Sequence, residues 1–537
     1  MVAMTPTDEQ VAAVELFGTG RTMVIEAGAG TGKTSTLRLI AEAAPAKRIQ
    51  YLAFNKAIVT DAAGSMPPNV TASTAHSLAY RAVGAQFGHR LRGSRRMRSM
   101  EIARLLGVDG LAINYGGASK YLAAGYLAGL AMRAIERFCQ TADLVPSAAH
   151  VPYIDGIDVP VDGPDGLRRG WANNREIAKH LEPALRRAWL DISQVQGTLP
   201  FKHSHYLKLW QLSRPRIHAD VILFDEAQDA NPVMAAVVGD QPHAQVVYVG
   251  DSQQAIYEWT GAVNALAGFA ADDRSMLTRS FRFGPEVAAV ANDVLGRIEG
   301  ADLRLVGAGS AGVVGPVAEP DVVLCRTNAA AVDRMLIAQQ AGQAPHLVGG
   351  GSEVVSFAKA ARELMNEGRT SHPELACFDG WTDVLDYVEN DAQGGELNLL
   401  VGLVEKYGVD TILLALDYMP TEDSADLIVS TAHKAKGRQW GSVALAGDFP
   451  TGVHPKTGEP VTPETSELRL LYVAVTRAQR ELDISACGLL SSAPVSLPLP
   501  TSGSLHCRTC GRGYALGARS GLADETYCGG VCRSKDA

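Results

Sequence analysis

The chain has 537 residues, 46% of them hydrophobic and 20% charged, with 54 Gly and 26 Pro. These are globular proportions, which exclude a disordered, collagen-like or coiled-coil chain, and at roughly 150 residues per domain the length predicts three or four domains. Forty-nine Lys plus Arg against 58 Asp plus Glu leave a formal charge of −9; that balance neither marks a protein coated in nucleic acid nor excludes a local basic channel, because the field in a groove depends on where charges sit.

The opening residues MVAMTPTDEQ hold no apolar run of signal-peptide length, and no stretch of about 20 apolar residues offers a membrane span. The expectation is no membrane association, and a cytoplasmic location if the chain is bacterial or phage-encoded. Cys139, Cys325, Cys377 and Cys487 are scattered and read as buried thiols, whereas the remaining four cysteines crowd the C-terminus.

Along the chain, TMVIEA at 22–27 predicts a strand that enters a Gly-rich turn. KTSTLRLIAEAA at 33–44 has helical spacing of Leu37, Ile40 and Ala44, and RIQYLAF at 48–54 returns to strand character. This alternation predicts a parallel sheet with crossover helices. From Ser77 to about Arg214 the texture is mainly helical, clearest at 118–140 and 175–192, with a turn-rich loop or small hairpin at 151–170. VILFDEAQD at 221–229 and AQVVYVGD at 244–251 then resume the strand pattern, so the helical stretch reads as an insertion in a first α/β domain. DVVLCRTNAAAVDRMLIAQQ at 321–340, DLIVSTAHKAKG at 426–437 and SVALAG at 442–447 predict a second α/β domain, with 346–425 as its smaller insertion. SSAPVSLPLPTSGS at 491–504 reads as a linker.

EAGAGTGKTST at 26–36 carries the strongest chemical signal. Glycines at 28, 30 and 32 let backbone amides turn toward phosphate oxygens; Lys33 can reach terminal phosphates, and the Thr34 hydroxyl can coordinate magnesium. A helix starting near Lys33 adds its N-terminal dipole to the anion site. The first position of the usual G-x-x-x-x-G-K-T pattern is Ala27. Asp225 and Glu226 leave a buried strand, where Asp225 would hold magnesium through water and Glu226 would orient or deprotonate the attacking water. Gln254 is a candidate γ-phosphate sensor, and Tyr257 and Trp259 are either base-stacking rings or core aromatics.

The order of these blocks resembles the superfamily 1 helicases of the UvrD/Rep/PcrA type, and the FNKAIVTDAA segment looks especially like the F-box DNA helicase branch, with no F-box seen. The resemblance covers about residues 5–488. It implies two RecA-like parallel-sheet P-loop domains with helical insertions: 1–76 with 215–274, interrupted by 77–214, and 275–345 with 426–490, interrupted by 346–425. By the same resemblance Gln10 reads adenine, and Gly28, Ala29, Gly30, Thr31, Gly32, Lys33, Thr34 and Ser35 form the nucleotide loop. The implied strand contacts are Phe54, Asn55, His76, Tyr257, Trp259, Thr431 and His433, with Lys434 near them. SFRF at 280–283 is similar to motif IV, setting Phe281 against the adenine and Arg282 on the γ-phosphate, although Ser280 replaces the usual Asn. LLYVAVTRAQRELDI at 470–484 is similar to motif VI, with Arg477 the second arginine finger and Tyr472 and Thr476 supporting it. Arg438 and Gln439 stand where the family commonly has Leu-Glu, which puts an acidic nucleotide contact in doubt.

The implied activity is ATP- and Mg2+-dependent helicase movement, 3′ to 5′ on single-stranded DNA and at single-strand/duplex junctions, in repair, recombination or replication. A DNA-stimulated ATPase that remodels protein–DNA complexes without unwinding, and a non-catalytic nucleic-acid adaptor, are the alternatives. The run GHRLRGSRRMRSMEIAR at 88–104, with Arg90, Arg95, Arg96 and Arg98, reads as a phosphate-binding patch or a solvated face. At 505–537, Cys507, Cys510, Cys528 and Cys532 have C-x2-C-x17-C-x3-C spacing, which suits a small structural Zn2+ module, with an iron–sulfur cluster or redox thiols as alternatives. Its expected work is attachment to nucleic acid or to a protein partner.

Overall fold

A computed structural model describes residues 5–491, except 54–55, 94–96, 116–117, 155–156, 159–160, 164–165, 169, 257–264, 371, 373, 376–377, 379, 391–395 and 455–456, together with 505–506 and 513–514. By their contacts the residues group into two units: 1–27 with 33–277, and 28–32 with 278–537.

The first unit is built on six strands: β1 (Met23–Ala27), β2 (Ile49–Ala53), β3 (Val70–Thr74), β4 (Val221–Phe224), β5 (Gln245–Gly250) and β6 (Asp273–Leu277). They lie in the order β6-β1-β5-β4-β2-β3, every pair parallel. The near-continuous burial of β1, β2, β4 and β5 is what a parallel sheet covered on both faces requires. One face packs on α1 (Asp8–Phe17) and α2 (Lys33–Ala43), through Ala13, Leu37, Ile40 and Ala41 against Ile25, Tyr51 and Leu223. The other face is continuous with a helical core in which α3 (Ala124–Phe138), α4 (Ala172–Ser193) and α5 (His203–Leu212) bury Leu127, Ile135, Phe138, Ile177, Leu181 and Trp210.

Residues 118–122, expected to open a long helix, instead pair antiparallel with 111–115 as a hairpin, and the helix starts only at Ala124. The small hairpin foreseen within 151–170 is present, pairing Val161–Gly163 with Gly166–Arg168.

The second unit repeats the architecture. Strands β7 (Val313–Val314), β8 (Val322–Cys325), β9 (Pro345–Leu347), β10 (Leu427–Thr431), β11 (Trp440–Leu445) and β12 (Ala478–Asp483) form a parallel sheet in the order β7-β12-β11-β8-β10-β9. Helix α6 (Asn328–Gln340) and the helices at 352–367, 396–407 and 409–417 pack around Val323, Cys325, Leu347 and Val429. Helix α7 (Thr465–Val475) runs into β12 and is buried along most of its length. Two parallel α/β sheets of this kind are consistent with a pair of RecA-like domains. Among the described residues, no helix is long and apolar enough to cross a membrane.

Cys139, Cys325 and Cys487 are buried free thiols; Cys377 lies outside the described residues.

Candidate functional site

Because all six strands of the first sheet run the same way, their carboxyl ends open on one edge, where ligands of open α/β sheets bind. In register, Glu26 of β1 sits beside Gly250 of β5, and Tyr248 of β5 beside Phe224 of β4. The segments that follow these three neighbouring strands are the Gly-rich loop leading to Lys33, the Asp225–Glu226 pair, and the Asp251–Gln254 turn. Sequence separations of about two hundred residues therefore collapse onto one edge.

Lys33 opens α2, and its ammonium lies 3.1 Å from the Glu226 carboxylate. Burial alone would lower Lys33, but Glu226, then Asp251 and Asp225, outweigh it and hold the ammonium above the ordinary lysine value. Thr34 and Ser35 are exposed on the first turn of the helix. Gly30 and Gly32 adopt φ of +73° and +82°, a left-handed backbone that side chains other than glycine rarely accept.

Glu226 itself has φ of +51°. A left-handed non-glycine residue is a strained conformation of the kind that concentrates at functional sites. Its carboxylate also accepts from Gln228 Nε2 at 2.6 Å, while Gln228 Oε1 accepts the Asp251 N–H at 3.1 Å. A hydrogen-bonded chain thus runs from Lys33 through Glu226 and Gln228 to Asp251. Asp251 in turn accepts from Gln254 Nε2 at 2.7 Å, so the candidate sensor amide is buried and held by its own turn.

Asp225 is nearly fully buried. It accepts the Glu226 N–H at 2.9 Å and the Tyr51 hydroxyl at 2.5 Å. Burial, then the adjacent Glu226, pushes its carboxyl up to about 6 despite Lys33 and Tyr51. Divalent cations favour oxygen ligands, so the Asp225 carboxylate and the Thr34 hydroxyl have the donor chemistry for magnesium. Tyr51 escaped the sequence reading, because a tyrosine in a buried β2 run looks like core. Its phenol is held protonated by burial and by Asp225, and it fixes the carboxylate's orientation.

Gln10 is buried at the start of α1. Its Oε1 accepts the Thr7 N–H at 3.0 Å, and its Nε2 donates to Thr36 of α2 at 3.1 Å. The amide therefore braces the helix that begins at Lys33. His76 edges against Tyr206 with centroids 5.8 Å apart, and burial, then His203, lowers its pKa.

In the second unit, Arg282 Nη1 donates to the Thr476 carbonyl at 2.9 Å, and Arg477 Nη2 donates to the Thr476 hydroxyl at 3.0 Å. The two candidate arginine fingers, nearly two hundred residues apart in sequence, therefore meet at one residue after α7. Arg477 is buried and also donates to Val473 and Arg438 carbonyls. The contacts of Gly28–Gly32 belong to this unit: the Phe281 N–H donates to the Gly30 carbonyl at 2.9 Å, and the Ala29 N–H donates to the Tyr472 hydroxyl at 3.3 Å. A Cβ on Gly30 would come within 2.5 Å of Arg282 Cβ, a second reason for glycine there.

Thr431 is buried at the end of β10. Burial, then Arg326, lowers the pKa of His433. Arg438, at the departure from the family pattern, sends its side chain to Glu422 at 2.6 Å.

The basic run divides. Arg90 is buried rather than free for phosphate, and donates to the carbonyls of Ile192 at 3.0 Å and of Gln194 and Leu199 at 2.6 Å. Arg98 is exposed at the start of a short helix. Arg95, Arg96, Phe54, Asn55, Tyr257, Trp259 and the cysteines at 507, 510, 528 and 532 lie outside the described residues. Among the described residues no cluster of three metal-ligating side chains occurs.

Residues 10–260 match the AAA domain family, and residues 388–488 match the UvrD-like helicase C-terminal domain. The chain is 30% identical over 519 residues to F-box DNA helicase protein 1 of Schizosaccharomyces pombe, covering 89% of this chain and 57% of that protein. It is 30% identical over 503 residues to F-box DNA helicase 1 of Gallus gallus, covering 87% of this chain and 47% of that one. ATP-dependent DNA helicase UvrD2 of Mycobacterium bovis is 26% identical over 334 residues, 49% of this chain and 46% of that protein. The chain spans about half the length of these relatives.

Proposed function

We propose that this chain, a UvrD-like helicase by its family matches, is an ATP- and Mg2+-dependent DNA helicase that moves 3′ to 5′ on single-stranded DNA and separates strands at junctions. The observation that carries the reading is the Lys33–Glu226 pair at the carboxyl edge of the first sheet, beside the buried Asp225. In hydrolysis, the amides of Gly28 to Thr34 and the Lys33 ammonium hold the β- and γ-phosphates, and Glu226 takes a proton from the attacking water. Magnesium, when bound by Thr34 and Asp225, neutralises developing charge on the phosphoryl oxygens. Arg282 and Arg477 are the transition-state arginines of the reacting state, always charged and able to fork onto phosphoryl oxygens. Gln254 senses loss of the γ-phosphate, and Gln10 with Phe281 receives the adenine.

Phe54, Asn55, His76, Tyr257, Trp259, Thr431 and His433 are the proposed strand contacts, and Arg95, Arg96 and Arg98 supply sequence-independent phosphate affinity. The C-terminal cysteines are proposed to hold one structural zinc, in a module that attaches the motor to nucleic acid or a protein. What supports that reading is the C-x2-C-x17-C-x3-C spacing of four soft thiolate donors. Hydrolysis measured with and without single-stranded DNA tests the motor: stimulation by the strand is expected, and its absence favours an adaptor. Metal analysis of the full chain, expected to find one zinc that is lost in Cys507→Ser/Cys510→Ser, tests the module.

A further inference from the structure

Glu26 has no role in the nucleotide reading, although it stands on interior strand β1, two residues before Gly28 opens the nucleotide loop. Its neighbours Met23, Val24 and Ile25 are apolar and buried, as an interior strand covered on both faces demands. The Glu26 carboxylate instead reaches past its register partner Gly250 and accepts the Ser252 N–H at 2.7 Å. Ser252 opens the short turn Ser252–Gln254. Asp251 closes that turn by accepting the Gln253 N–H at 3.0 Å and the Gln254 amide at 2.7 Å.

We propose that Glu26 is a positioning residue for ATP hydrolysis: its carboxylate ties the turn carrying Gln254 to the strand that leads into the phosphate loop, and its protonation loosens that tie. The proposal rests on the ATPase reading above. The bond strengthens with charge because an ionised acceptor makes a shorter and roughly twofold stronger hydrogen bond than a neutral one.

The charges facing Glu26 are Asp251 beyond the neighbouring strand and Lys33 at the start of α2, and Lys33 is itself shared with Glu226 and Asp225. Burial first, and Asp251 second, raise the carboxyl to about 7, against the Ser252 bond and Lys33. The tie is therefore weak below neutral pH and strong above it, so turnover should rise as pH increases through about 7.

Single-turnover and steady-state hydrolysis of Mg-ATP with single-stranded DNA, measured from pH 5.5 to 9 in wild type, Glu26→Gln, Glu26→Asp and Glu26→Ala, tests this. Glutamine keeps a neutral acceptor of the same shape. It should abolish the inflection near 7 and leave kcat at pH 8.5 about three- to ten-fold below wild type, with KM for ATP nearly unchanged. Aspartate should restore part of the inflection, and alanine should not. Nucleotide-analogue binding and circular dichroism confirm that each variant is folded. An active wild type whose inflection and kcat survive Glu26→Gln overturns this proposal alone. A wild type that hydrolyses no ATP at any pH overturns the ATPase reading and this proposal with it.

Discussion

The Lys33 ammonium lies 3.1 Å from the Glu226 carboxylate. On the proposed reading the two groups divide the work, with Lys33 serving phosphate binding and Glu226 serving the attacking water. Glu226→Gln should keep nucleotide binding while turnover falls by about 10²–10⁴-fold. Lys33→Ala should lose both tight binding and turnover. Equilibrium binding of a fluorescent ATP analogue beside phosphate release separates the two outcomes; near wild-type turnover in Glu226→Gln would remove Glu226 from the base role.

Tyr51 donates to Asp225 at 2.5 Å from a fully buried position. Tyr51→Phe removes one hydrogen bond to a charged group, a contribution of about 1.5–3 kcal/mol, without opening a cavity. The expected result is a Mg2+ concentration for half-maximal hydrolysis raised by about ten-fold or more, with kcat largely recovered at high Mg2+. An unchanged Mg2+ titration would make Tyr51 an ordinary core residue.

What the sequence made legible follows from what each residue does locally. VILF before Asp225–Glu226 is an uninterrupted apolar run ending in acids, so both the strand and the place of the acids at its end could be read. The edge strands at 70–74 and 273–277 are only partly buried and largely polar, so they carry little hydrophobic pattern. ASKYL at 118–122 precedes a helix of small and apolar residues, and its strand character comes from pairing with 111–115, which no local spacing shows. Arg90 was hidden in a charge run, because only the fold reveals the carbonyls waiting for it. Glu26 and Tyr51 were invisible for the converse reason: their partners, Ser252 and Asp225, lie about two hundred residues away.

Arg90 and Arg98 should behave differently although they sit in one basic run. Arg90→Ala strands the two buried carbonyls of Ile192 and Leu199 and should destabilise the first unit by on the order of 3 kcal/mol, read as a lower thermal midpoint. Arg98→Ala should leave the midpoint in place and reduce the salt dependence of single-strand affinity by about one counterion. The reverse pattern would restore Arg90 to the phosphate-binding patch.

Glu136 in the helical core lies 3.0 Å from Lys202 and 3.2 Å from His205. Burial alone would raise its carboxyl, but His205, then Lys202, outweigh it and bring it down to about 2. A depressed acid stabilises the fold above its unfolded value near 4.5, and that contribution is lost as pH falls toward 2. Allowing for partial exposure, the difference between wild type and Glu136→Gln should be on the order of 2 kcal/mol at pH 5.5. It should shrink below pH 4.5 and be nearly gone at pH 2. Denaturant melts across that range check the slope; a constant difference would show that Glu136 acts through packing alone.

Strand displacement on duplexes carrying either a 3′ or a 5′ single-stranded tail, with wild type and Glu226→Gln side by side, tests the central claim most directly. The account predicts ATP-dependent unwinding of the 3′-tailed substrate by wild type, little on the 5′-tailed one, and none by Glu226→Gln. Vigorous DNA-stimulated hydrolysis without displacement of either strand would contradict it and leave a remodelling ATPase in its place.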